Sequence, residues 1–416
     1  MAFTGLALTA VTFGALYFGL CASLGGCGKL ASTTDSGLPN EATESIASGP
    51  KFSSDRCFIR ANWIRPPSFD TAQSRLTTLQ KLKLAKLNTV FLAAPQTGLG
   101  YGWSNEASFA QFLGELRAEN FSVHLWVQNK MRGARSDADE ENAQADFESE
   151  TERTLQVNWI TDLLDRYPNL QGVHYDYIRY EDQPAWVGEF SKTEAVSKTI
   201  SAISSQIRQR YSTKFLSASS FVAEPTYGDF DAEFVSFWFR SWSSWITSAA
   251  NDSNEINTLF KALANQSASK HSVPTFFKFQ QNPVSWLKRN FIDVVVPMQY
   301  TTDVHKYQTE ISIWKSFFSH QNLSPQRLVM GTGWLPVDTS ETSHSDWGYD
   351  AVSLETRVQI AKTGTMSNAN DAIGGVSIYR IAGYEQEGTE VDDTHAIAAL
   401  SNSITTLEDA LSNNCW

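Results

Sequence analysis

From residue 57 onward, short runs of β-branched and aromatic residues alternate with longer stretches whose apolar residues recur at helical spacing. This alternation is typical of parallel strands that are joined by helices. The pattern predicts strands at residues 57–64, 89–94, 122–128, 171–180, 214–222, 291–298, 327–334 and 374–381. It predicts helices at residues 71–87, 108–119, 147–167, 190–211, 307–318 and 354–362, with a closing helix within 394–411.

Eight strands with intervening helices indicate an α/β fold of the (β/α)8 TIM-barrel type. A doubly wound sheet is the alternative, but it needs a glycine-rich phosphate loop after its first strand. The residues there, Ala61-Asn62-Trp63, offer no such loop. The longest interruption of the alternation, residues 223–289, follows the fifth strand, and we interpret it as an insertion over the mouth of the barrel.

The first 28 residues carry no charge, and an apolar run from Leu6 to Leu20 is followed by Leu24-Gly25-Gly26-Cys27. This order is similar to a lipoprotein signal, in which Cys27 would become the lipidated N-terminus, although the usual early Lys or Arg is missing. An ordinary secretory signal and an uncleaved anchor helix are the alternatives. We therefore expect a leader at 1–27, a flexible linker at 28–55, a (β/α)8 domain at 56–416, and a location outside the cytoplasm.

The net charge limits the kinds of binding partner that we expect. The net charge of −12 argues against nucleic acid and against anionic membrane surfaces, because both attract basic patches.

Cys57 and Cys415 fall at opposite ends of the domain sequence. A closed barrel would bring them together, so we expect a disulfide; two unrelated thiols are the alternative. The seven histidines are scattered, so we expect no metal and no cofactor.

The fourth strand carries the strongest chemical signal. It reads QGVHYDYIRY, from Gln171 to Tyr180. A strand that is buried on both faces normally carries no carboxylate, and the carboxyl end of a barrel strand is where catalytic groups lie. We therefore predict that Asp176 is functional, with His174 on the same side of the strand two residues earlier.

Several segments together resemble the glycosyl hydrolase-like 10 family of exported (β/α)8 proteins. The specific ones are Gly172 to Tyr180 on the fourth strand and Asp293 to Thr301 on the sixth. Weaker matches are Arg60 with Trp63, Asn88 to Phe91, and His124-Leu125-Trp126. The chain departs from the family at Tyr177, where many members have a second Asp, and at Glu181, which replaces a Pro.

The resemblance implies a glycoside hydrolase that cleaves a cell-envelope or extracellular polysaccharide. Such chemistry uses a proton donor and a second group, so we predict Asp176 as one of the pair and Glu224 or Asp303 as the other. The alternative is a carbohydrate-binding barrel without turnover. Candidate substrate contacts at strands and strand ends are His174, Arg60, Trp63, Trp126, Gln128, Tyr177, Gln299, Tyr300, Trp334 and Arg380.

Overall fold

Eight parallel strands close into one barrel in sequence order, which confirms the predicted (β/α)8 architecture. The computed structural model describes residues 58–96, 102, 104–129, 146–180, 190–222, 279, 281–334, 350–363, 372–381, 385–386, 389–390 and 393–403. The strands are β1 Ile59–Ile64, β2 Thr89–Ala93, β3 Ser122–Gln128, β4 Gly172–Asp176, β5 Phe215–Ser220, β6 Val294–Gln299, β7 Val329–Gly333 and β8 Gly375–Tyr379. A separate antiparallel pair consists of β9 Glu385–Gln386 and β10 Thr389–Glu390.

Helices follow the strands on the outside of the barrel. Those described are α1 Ala72–Leu84, α2 Glu106–Ala118, α3 Glu150–Arg166, α4 Phe190–Arg210, α5 Pro283–Lys288, α6 Val304–His320, α7 Ala351–Thr363 and α8 Thr394–Ser403. Their starts follow ordinary capping chemistry: the side chains of Thr71, Asn105 and Ser149 each accept a backbone N–H of the first turn. Within the described residues, no helix is long and apolar enough to cross a membrane.

The last part of the predicted insertion belongs to the barrel frame instead. Residues 283–288 form α5, which is buried along most of its length. Trp286 donates its indole N–H to the Ser197 hydroxyl of α4 at 3.0 Å. Sequence periodicity missed this helix because six residues are too few to show a helical repeat.

Several predictions fall outside the described residues. They are the leader at 1–27 with Cys27, the linker at 28–55, the pair Cys57 and Cys415, the carboxylate Glu224, most of the insertion, and the chain after residue 403.

The strand register shows which side chains face the barrel interior. Trp63 on β1 contacts His174 on β4 with ring centroids 5.6 Å apart, a contact that crosses the barrel because β2 and β3 lie between these strands. His174 is in register with Trp126 and Ser217 on the neighbouring strands. Because strand side chains alternate with period two, Asp176 faces inward as well. It is the last residue of β4, and it therefore lies at the C-terminal end of the barrel.

Candidate active site

Asp176 is held in place by two hydrogen-bond donors. The Trp126 indole N–H lies 3.1 Å from Oδ2, and the backbone N–H of Tyr177 lies 2.8 Å from Oδ1. Ser219 on β5 lowers the pKa of the same carboxyl, as expected of a neighbouring hydroxyl that favours the anion. Tyr177 has a left-handed φ of 53°, an uncommon conformation for a residue other than glycine. This turn ends β4 and aims the backbone N–H of Tyr177 back at the acid group.

Burial raises the pKa of Asp176 above its ordinary value, because the charged form loses water. The Arg179 guanidinium acts in the opposite direction, as do Tyr177, Trp126 and Ser219, and burial outweighs them. Arg179 is itself buried, with its Cζ 4.2 Å from the centre of the Tyr177 ring and 4.6 Å from that of Phe221. The result is a carboxyl group that keeps its proton to a higher pH than an exposed aspartate.

His174 lies one layer below Asp176. Its ring is fully buried and stacks on the Phe91 ring, with the ring centroids 3.8 Å apart and an angle of 6° between the ring planes. Nδ1 is 2.9 Å from the Ser217 hydroxyl, and Nε2 is 2.9 Å from the Ser219 hydroxyl. Burial, helped by nearby His124, holds the pKa of His174 well below its ordinary value, so the imidazole is neutral.

Aromatic rings line the same end of the barrel. The Trp63 ring lies 5.4 Å from Phe91 and 5.7 Å from Tyr379, and the Tyr379 ring stacks on Tyr300 at 5.5 Å. Burial, the Tyr379 phenol and the Asp176 carboxylate raise the pKa of Tyr300 well above its ordinary value. Tyr300 therefore remains a neutral phenol beside Asp176.

Gln128 and Trp334 were also predicted for this end of the barrel. Gln128 ends β3 in register with Asp176, and its side-chain oxygen is buried without a hydrogen-bond partner among the described residues. Trp334 follows β7 and is buried, and its backbone N–H donates to the carbonyl of Tyr379 at 2.8 Å. Arg380 follows β8 with its Cζ 5.6 Å from the Tyr379 ring.

Besides His174, whose full burial prevents the predicted substrate contact, three predicted residues have positions that do not suit the predicted role. Arg60 is the second residue of β1, and its Nε donates to the carbonyl of Lys86 at the N-terminal end of the barrel, so a substrate contact has no structural basis. Gln299 is in register with Thr332, whose hydroxyl contacts Tyr307 of α6, so it is on the helix-facing side of β6. Asp303 is exposed and caps α6.

The capping role of Asp303 is well defined. Its Oδ1 accepts the backbone N–H groups of His305 at 2.8 Å and Lys306 at 3.1 Å. A carboxylate at a helix N-terminus is stabilised by these donors and by the helix dipole. The structure thus gives Asp303 a structural task, whereas Glu224 lies outside the described residues.

Sequence analysis missed Ser217, Ser219, Phe91, Arg179 and Tyr379 as contributors to this site. A signal for the two serines was present, because Ser217 and Ser219 alternate with the apolar residues Leu216 and Ala218 on a strand that is buried throughout. Among the described residues, no group of three or more His, Cys, Asp or Glu side chains is arranged to hold a metal ion.

The fold is that of a TIM barrel, and the solved structures that it is similar to include glycoside hydrolases. The spore cortex-lytic enzyme SleL of Bacillus cereus is 13% identical with a TM-score of 0.49, over 86% of this chain and 77% of that one. A GH18 chitinase from Pseudoalteromonas aurantia is 11% identical with a TM-score of 0.45, over 83% and 100%. A chitinase from Chromobacterium violaceum is 11% identical with a TM-score of 0.47, over 84% and 100%.

At these identities the likeness concerns the fold alone. No protein-family profile matches the chain, and no curated protein is significantly similar to it in sequence. The resemblance to the glycosyl hydrolase-like 10 family therefore stays a prediction from the motifs.

Proposed function

We propose that the chain is a glycoside hydrolase that cleaves a polysaccharide, with Asp176 as its proton donor. The observation that carries this proposal is the position of Asp176, a buried carboxyl of raised pKa at the C-terminal end of a parallel barrel. A general acid for glycosidic cleavage must hold a proton near its working pH, and burial is the usual way to achieve that for an aspartate.

The surroundings of Asp176 suit a sugar. Tyr177, Tyr300 and Tyr379 are half-buried at the same end of the barrel, and binding sites for small molecules combine such aromatic walls with a few oriented polar groups. Gln128 and Arg380 supply polar groups that can bind hydroxyls. The proposed substrate is a cell-envelope or extracellular polysaccharide, which agrees with the predicted leader and with a chain anchored by lipid at Cys27.

A carbohydrate-binding barrel without turnover is the second candidate. One observation favours it: the Asp303 carboxylate already serves two backbone N–H groups of α6, so it is a poor partner for Asp176. Of the two predicted partners, Glu224 then remains as the second group for the hydrolase proposal.

The test compares variants on purified envelope and extracellular polysaccharides, with new reducing ends as the measurement. We expect Asp176→Asn and Glu224→Gln each to lower the rate by about 10²- to 10⁴-fold while binding persists. Asp303→Asn is the matched control, because Asn caps a helix as well as Asp does, and it should keep full activity. Binding without cleavage by the unchanged protein would establish the second candidate instead.

A further inference from the structure

Hydrogen bonds connect Ser217, His174 and Ser219 in the barrel interior and lead toward Asp176. Ser217 and Ser219 on β5 lie on the two nitrogens of His174, both at 2.9 Å. The register pairs His174 with Ser217 and Tyr175 with Ala218, so the next inward residue of β5, Ser219, is beside Asp176. Ser219 is therefore hydrogen-bonded to the imidazole and lies next to the carboxylate, whose pKa it lowers.

The number of protons on these groups determines which atom donates in each of these hydrogen bonds. A hydroxyl has one proton, so Ser219 can donate to Asp176 only if it accepts a hydrogen bond from the imidazole. Nε2 of the neutral His174 must then carry the ring proton, and Nδ1 must accept from Ser217. For an ionised Asp176 that accepts from Ser219, the order of donors is therefore Ser217 to His174 to Ser219 to Asp176.

The ring of His174 has little freedom to break this order. It is fully buried, stacks on Phe91 with ring centroids 3.8 Å apart, and makes a T-shaped contact with Trp63 with ring centroids 5.6 Å apart. A buried side chain with both nitrogens bonded is held in one orientation. Such a ring can orient a neighbouring side chain, but it has no exposed atom that could contact a substrate.

We propose that His174 is a positioning residue that acts through Ser219 to fix the orientation and the proton affinity of the Asp176 carboxyl. This inference deepens the proposed function and rests on it for its catalytic meaning. The hydrogen-bond chain itself can be measured without any substrate, so failure to find a cleaved glycan leaves this test intact.

The other charged and titratable groups around these hydrogen bonds must stay unchanged in the test. Arg179, Tyr177 and Tyr300 act electrostatically on or near Asp176, and His124 acts on His174. Burial lowers the pKa of His124 to about 3, so that it is neutral. Arg179 is then the cation in this group, and no variant in the test alters it.

The first measurement is the ¹⁵N spectrum of histidine in the purified full-length chain. We expect His174 to show a proton on Nε2 and no titration between pH 5 and pH 8, with its signals assigned by their loss in His174→Phe. A proton on Nδ1, or a titration near the ordinary histidine pKa, overturns the proposal. This result needs no substituted serine, so it stands even if a serine variant does not fold.

The second measurement is the pKa of Asp176 by ¹³C-carboxyl labelling, with Asp176→Asn for assignment. Ser219→Ala should raise this pKa by about one pH unit, because the anion loses a donor. His174→Phe keeps the stacking and should raise it too, and the double variant should show less than the sum because both changes act through one hydroxyl.

The matched control is Ser377→Ala, an inward serine of β8 whose hydroxyl is buried without a partner among the described residues. It should leave the pKa of Asp176 unchanged. An unchanged pKa in Ser219→Ala or in His174→Phe, or fully additive shifts, would overturn the proposal.

Discussion

At the residue scale, Asp176 has neighbours that favour its anion, yet its environment as a whole favours the neutral form. Trp126, Tyr177 and Ser219 would each stabilise an anion, and Arg179 adds a positive charge. Burial nevertheless outweighs them, because removal of a carboxylate from water costs more than these contacts return. A group in this balance changes its charge with small changes in its surroundings, which is what an acid that must give up a proton requires.

This balance has a consequence for the free energy of unfolding. The carboxyl binds its proton more tightly in the folded state, so Asp176 destabilises the fold progressively as the pH rises from 3.8, its ordinary value, through the raised folded pKa. Asparagine has the same shape and no charge. We therefore expect the stability of Asp176→Asn relative to the unchanged protein to increase as the pH rises through this window.

Chemical denaturation at pH values from 3 to 8 would measure this difference directly. Asp303→Asn is the control: Asp303 is exposed at a helix start, and its replacement should not reproduce the increase. A relative stability of Asp176→Asn that falls with rising pH would mean that the folded pKa is lowered.

Sequence alone could find Asp176 because a carboxylate at the end of an apolar strand is expensive without a function. Sequence alone could not show that Tyr300 suits a substrate contact and Arg60 does not, since both lie on or next to strands. The difference is the end of the barrel: Arg60 is the second residue of β1 and donates to the carbonyl of Lys86, whereas Tyr300 follows β6. It missed Ser219 because the strand register that brings this residue to Asp176 is a property of the folded sheet.

At the element scale, the close approach of β4 and β5 depends on Gly172. A Cβ added to Gly172 would lie 2.4 Å from the carbonyl oxygen of Phe215 and 3.0 Å from Nδ1 of His124. The nearest atom is backbone in a closed barrel, so it cannot move without disturbing the pairing that brings Ser219 to Asp176. Eight periodic strands predicted that β4 and β5 are neighbours, while this spacing follows only from the closed geometry.

Alanine at two glycines should therefore have opposite effects. We expect Gly172→Ala to lower the free energy of unfolding by about 2 kcal/mol or more, because an overpacked core is strained. We expect Gly114→Ala to raise it by about 0.5–1 kcal/mol, because Gly114 lies within α2 and a new Cβ meets nothing within 4 Å. Equal effects in denaturant titrations would contradict the packing of β4 on β5.

At the scale of the whole molecule, the two ends of the barrel carry different kinds of polar contact. The C-terminal end holds Asp176 with its raised pKa. At the N-terminal end, Asp293 precedes β6 and forms a buried ion pair with Arg208 of α4, at 2.7 Å, and it accepts the backbone N–H of Leu216 at 2.9 Å. Residues at this end of a TIM barrel serve stability, whereas those at the opposite end serve chemistry.

Removal of the Asp293 charge should therefore reduce stability and leave the site intact. Asp293→Asn strands the buried Arg208 cation, so we expect the free energy of unfolding to fall by about 3 kcal/mol. The ¹³C-measured pKa of Asp176 should stay unchanged, because Asp293 lies at the far end of the barrel. Glu119→Gln breaks the exposed pair with Lys83 and should cost less than about 1 kcal/mol. A shifted pKa of Asp176 in Asp293→Asn would show that the two ends are coupled, since a purely local loss of stability cannot alter proton binding so far away.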